Sequence, residues 1–117
     1  MRTIVPQDLE WQREQGVGRA VVHNEKLGDQ QVQVEMLEVE AGQTLRPHTH
    51  KKRREFLVVV HASGAQLRLG ERVFRPTLGQ TFEREPGEIM EIVNDAPNSF
   101  RILRFQLAFD AADTQNV

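Results

Sequence analysis

Gly42-Gln-Thr-Leu-Arg-Pro-His48-Thr-His50-Lys-Lys-Arg-Arg-Glu55 is the stretch on which the reading of this chain turns. Residues two apart on a β-strand point to the same face, so the imidazoles of His48 and His50 can reach one ion. Glu55 follows His50 at an odd spacing, and a continuous strand would send it to the opposite face. The basic residues 51–54 are therefore expected to break the strand and turn the chain, returning Glu55 to the same side from a neighbouring strand. Two imidazoles and a carboxylate on adjacent strands make a pocket for a divalent metal. A solvated histidine pair beside a basic turn accounts for the same residues equally well.

Outward from this stretch the pattern is that of strands and turns. Val32, Val34, Met36 and, less regularly, Leu37 and Val39 alternate with Gln and Glu over 31–40, as in a half-buried antiparallel strand. The segment 19–23 reads as a short strand. Residues 66–74 read as a hairpin with Gly70-Glu71 as a type II′ turn. Residues 89–94 form a strand after the tight turn Glu85-Pro86-Gly87, and 100–109 the last strand. The segment 55–60 is apolar on both faces: Leu57 and Val59 on one, Phe56, Val58 and Val60 on the other. Such a strand is central or covered from outside. A homodimer, the commonest symmetric closure, is the expected cover; Trp11 and its neighbours in the same chain are the alternative. No segment carries a helical period, so the chain reads as all-β with an N-terminal arm (1–18), one barrel (19–109) and a polar, frayed tail (110–117).

The spacing Gly42-x5-His48-x-His50-x4-Glu55-x6-Ala62 resembles the first motif of the cupins, small RmlC-like jelly-roll (double-stranded β-helix) barrels. That motif usually closes on glycine; here Ala62 stands in its place, with Gly64 close behind. Gly79, Pro86, Gly87 and Asn94 lie along the second cupin motif, with one additional residue between Gly79 and Pro86. The resemblance covers residues 32–107. It implies a metal held by His48, His50 and Glu55, with Met90 where the family supplies its last histidine. A thioether suits copper better than hard divalent ions, and methionine at a barrel mouth also serves as apolar packing. Three protein ligands with open positions suit a reactive site and equally a weak, decayed one.

Arg46 shares parity with His48 and His50 and is the candidate anchor for an anionic substrate group, with a strand-end arginine curling outward as the alternative. His61 reads as a buried or turn-capping histidine and His23 as a surface one. Glu83, Glu85 and Glu88 read as solvated, as does the basic run 51–54, which would otherwise steer an anion toward the site.

Composition narrows the classes. The 117 residues suffice for one domain, and a formal net charge of −2 gives no drive toward nucleic acid or anionic membrane. The absence of cysteine removes disulfides, thiolate ligands and thiol nucleophiles; the absence of tyrosine removes a phenolic acid or base. No apolar run has membrane-spanning length and residues 1–6 lack a signal-peptide core, so a cytoplasmic location is expected. The leading expectation is a metal-dependent enzyme of oxygenase, isomerase or decarboxylase type on a small polar or anionic molecule, using one divalent transition metal (Fe, Mn, Ni, Zn or Cu). The alternative is a non-catalytic module that binds a sugar or organic acid.

Overall fold

The computed structural model describes residues 1–107 and 114–116. After a 3-10 turn at Pro6–Asp8 come β1 (Gln12–Glu14), β2 (Val17–Leu27), β3 (Gln30–Val39), β4 (Thr44–His50), β5 (Arg54–His61) and β6 (Gln66–Leu69). They are followed by β7 (Arg72–Phe74), β8 (Thr81–Arg84), β9 (Met90–Val93), β10 (Phe100–Leu107) and β11 (Thr114–Asn116). A six-stranded sheet in the order β1-β2-β3-β10-β5-β8 faces a five-stranded sheet in the order β11-β4-β9-β6-β7. All pairings are antiparallel. This is the double-stranded β-helix, all-β as expected. No helix among the described residues is long and apolar enough to cross a membrane.

The turns follow their residues. Gly70, at φ +59°, opens the two-residue link between β6 and β7, as a type II′ turn requires. Gly42, at φ +76°, donates its N–H to the Asn94 carbonyl, and the Asn94 N–H returns to the Gln43 carbonyl. Asn94 is itself buried, and its amide donates to the Val39 and Asn98 carbonyls at 2.9 and 2.8 Å. A glycine of the first motif and the asparagine of the second thus clasp the same corner.

Several elements differ from the sequence reading. β1 lies within the expected arm, and β8 is a strand to which the sequence reading assigns no element. Thr114–Asn116, expected to fray, runs along His48–His50 as an edge strand. Edge pairing uses main-chain groups, and its exposed Gln115 and Asn116 need no apolar alternation. Residues 108–109 of the expected last strand lie outside the described residues.

The core explains the most consequential difference. Val39, Phe100, Leu37, Ile102, Leu57, Val59, Leu45, Leu67 and Ile92 fill one half of the barrel. Along β3 the inward residues are Gln33, Glu35, Leu37 and Val39, and along β10 they are Phe100, Ile102, Arg104 and Gln106. Register places Arg104 opposite Glu35 and Gln106 opposite both Gln33 and Glu55; Glu55 pairs in turn with Arg84. One end of the interior is therefore apolar and the other polar. Val34, Met36, Leu103 and Phe105 lie partly exposed on the outer face beside Phe56 and Val58.

Candidate functional site

The polar end gathers Gln33, Glu35, His48, His50, Arg53, Glu55, Arg84, Arg104 and Gln106, all buried. Charged side chains are rarely interior unless paired. Here the pairing is extensive. Glu55, 1% exposed, accepts a hydrogen bond at Oε1 from Arg84 Nη1 at 2.6 Å, and its Oε2 lies 3.4 Å from Arg104 Nη1. Arg104 donates to Glu35 Oε1 at 2.5 Å. Arg84 also donates to the carbonyls of His48, at 2.8 Å, and Glu88, at 2.7 Å, tying both sheets to the β8–β9 turn. Gln106 donates to Gln33 at 2.9 Å.

His48 donates from Nδ1 to the Arg46 carbonyl at 3.1 Å, which leaves Nε2 as its acceptor. Arg53 donates from Nη2 to His50 Nε2 at 2.6 Å, so this imidazole presents its lone pair to a guanidinium. The two rings stand edge to face with centroids 5.4 Å apart. Burial lowers the pKa of His48 to about 4 and that of His50 to about 3, with Glu55 partly opposing the shift and the surrounding guanidiniums adding to it. Both rings are therefore neutral at pH 7. Burial alone would raise the Glu55 pKa, but the surrounding cations, Arg104 and Arg84 foremost, hold it below its usual value.

The structure brings together His48, His50 and Glu55, as expected, but across the barrel: Glu55 comes from the facing sheet rather than from a neighbouring strand, with Oε1 3.6 Å from His50 Nε2. Met90 is fully buried, pairs with His48 in register and belongs to the apolar core. A bulge between Leu45 and His48 turns Leu45 inward and leaves Arg46 exposed. Arg46 nevertheless lines a cavity of about 310 Å³ with Arg19, Leu45, His48, Glu14 and Asn116, between β2 and β4. His61 is an exposed histidine donating to the Ser99 carbonyl at 2.6 Å, and His23 lies at the surface. Glu83 and Glu85 are exposed beside Arg54.

Sequence reasoning missed Arg53, Arg84, Arg104 and Glu35. Arg53 sits in a run expected to be solvated, yet it is 4% exposed while Lys51, Lys52 and Arg54 face solvent. The parity of Arg104 with Phe100 and Ile102, and of Glu35 with Leu37 and Val39, was the available signal.

A metal on His48, His50 and Glu55 needs the His50 Nε2 lone pair and a carboxylate oxygen. In this arrangement the first accepts from Arg53 and Glu55 Oε1 accepts from Arg84, while Glu55 Oε2, with no hydrogen-bond partner among the described residues, lies 3.4 Å from Arg104 Nη1. Among the described residues this end also holds the guanidiniums of Arg53, Arg84 and Arg104, which a divalent cation would meet at close range. Among the described residues no group of three histidines or carboxylates is placed to hold a metal ion. The donor set as arranged does not fit one.

No protein-family model and no curated protein sequence matches the chain. Solved structures do. The polyketide cyclase RemF from Streptomyces resistomycificus superposes with a TM-score of 0.80 at 19% identity, over 100% of this chain and 85% of that one. KdgF from Halomonas sp. gives 0.76 at 18%, over 96% and 97%. The Cnp3 cupin domain from Schizosaccharomyces pombe gives 0.75 at 14%, over 94% and 75%. At such identities the likeness speaks to architecture, and with the strand order above it shows that this chain has the fold of a small cupin, a double-stranded β-helix barrel.

Proposed function

We propose that the barrel binds a small anionic organic molecule, admitted through the cavity between β2 and β4. The observation that carries this reading is the lining of that cavity: the cations Arg19 and Arg46 stand beside His48, whose carbonyl accepts from Arg84 of the buried cluster. A carboxylate or phosphate would pair with the two guanidiniums, and the polar body of the ligand would meet the neutral His48 imidazole. Glu14 on the same wall disfavours a ligand that is anionic at both ends.

The test is calorimetric titration of untagged protein with simple carboxylates, sugar acids and phosphorylated sugars, against neutral sugars. The anions should bind and the neutral sugars should not, and Arg46→Ala should weaken binding by roughly 10- to 100-fold, the weight of one charge-assisted hydrogen bond. Equal binding of neutral and anionic ligands, unchanged in Arg46→Ala, would refute it.

A second reading, catalysis on that molecule, draws support from the likeness to RemF, a polyketide cyclase. In it the neutral His48 Nε2 at the cavity wall is the proton acceptor. A divalent metal on His48, His50 and Glu55 belongs to this reading only if Arg53 leaves His50. We further propose that two copies pair through the apolar outer face formed by Val34, Met36, Leu103, Phe105, Phe56 and Val58. Trp11, the alternative cover, lies over Gly18 and between Arg13 and Arg101.

A further inference from the structure

We infer that the His50 lone pair a metal would need is taken by the guanidinium of Arg53, so that an organic cation from the chain itself stands in the metal's way. Arg53 belongs to the link between β4 and β5, the strands that carry His50 and Glu55, and is 4% exposed. Its Nη2 lies 2.6 Å from His50 Nε2, and Glu55 Oε1 lies 3.6 Å from that same nitrogen. The imidazole lone pair thus faces a planar cation, as it would face a metal. The Glu55 carboxylate itself meets Arg84 at Oε1 and Arg104 at Oε2. The backbone fixes the arrangement, since Gly87 N–H donates to the His50 carbonyl at 2.7 Å and Arg84 to that of His48.

The consequence is chemical. A metal offers open positions to lone-pair donors; a guanidinium offers only N–H donors and positive charge. The chamber should therefore recognise oxyanions and have no affinity for divalent metals. This inference stands apart from the ligand proposal, because it concerns what the empty-handed protein does with metal alone.

The experiment uses untagged protein stripped with chelator and titrated calorimetrically with Zn²⁺, Ni²⁺ and Mn²⁺, beside Arg53→Ala and Arg53→Gln. The native protein should show no micromolar binding, whereas removing the cation and freeing the His50 lone pair should tighten binding by on the order of 100-fold or more. Imidazole ¹⁵N spectra of the native protein should show His50 Nε2 as a hydrogen-bond acceptor that zinc does not shift. One-to-one metal binding by the native protein that His48→Ala/His50→Ala abolishes, or a zinc-induced shift at His50 Nε2, would overturn the inference. So would folded Arg53 variants that gain no affinity. Should both variants fail to fold, the native titration and spectra decide alone.

Discussion

Replacing Glu55 by glutamine changes almost no volume, yet it removes the charge about which the polar end is organised. Glu55 is 1% exposed and faces Arg84 at 2.6 Å, Arg104 at 3.4 Å and the His50 ring at 3.6 Å. A carboxamide keeps one oxygen for Arg84, but its NH₂ would confront the Arg104 guanidinium, donor against donor. Breaking a buried ion pair from one side costs about 3–5 kcal/mol, because the partner stays buried without its counter-charge. A domain of this size has roughly 5–15 kcal/mol of stability, so Glu55→Gln should lose roughly a fifth or more of it. The melting temperature should fall by about 10–20 °C, at roughly 4 °C per kcal/mol. The assay is urea unfolding followed by far-UV circular dichroism at neutral pH, with chelator in every sample so that bound metal contributes nothing. A double-mutant cycle with Arg84→Met should show the two losses adding to less than their sum, by about 1–3 kcal/mol. A Glu55→Gln protein within about 1 kcal/mol of native, or strict additivity with Arg84→Met, would show that the carboxylate does not hold the cluster together.

Three further outcomes follow from the same structure. Because the folded chain keeps His48 and His50 neutral, with pKa values near 4 and 3 against an ordinary 6.5, acid shifts protons onto the unfolded state first. Stability should be full above about pH 6.5 and decline toward pH 4.5 by roughly 2–3 kcal/mol per imidazole, more steeply once Glu55 and Glu38 titrate. A flat melting temperature across that window, or no flattening in His48→Gln/His50→Gln, would contradict this. Phe56→Glu should convert a dimer to a monomer by size-exclusion chromatography with light scattering, whereas a native protein that is already monomeric at micromolar concentration would remove the interface. Asn94→Ala should cost about 1–3 kcal/mol in urea unfolding by stranding the Val39 and Asn98 carbonyls, and a neutral substitution would mean that the corner does not depend on this amide.

The legible part of the sequence was the part governed by local rules. Turn glycines, the two-residue link at Gly70 and the two-residue spacing of His48 and His50 act over a few positions, and the motif spacing pointed to the barrel. The polar end was misread because alternation names two faces without saying which is inside. Over 32–36 the apolar set is Val32, Val34 and Met36, and a strand is ordinarily turned with that set inward. Here Gln33 and Glu35 face the interior because Leu37 and Val39, of the same parity, form the core layer above them. Bulges added to the difficulty. The one between Leu45 and His48 broke the parity that put Arg46 inside. Arg53 was hidden by its company: nothing local distinguishes it from Lys52 or Arg54, and only the loop path sends one of them inward. Arg84 and Arg104 reach the cluster from β8 and β10, a relation that exists only once the strand order is known.

The most direct measurement is a crystal structure of the native protein grown with zinc and an added small carboxylate, with data collected across the zinc absorption edge. The account predicts Arg53 within hydrogen-bonding distance of His50 Nε2, no anomalous peak between His50 and Glu55, and the carboxylate beside Arg19 and Arg46. An anomalous peak bound by His48, His50 and Glu55, with Arg53 turned away, would contradict it.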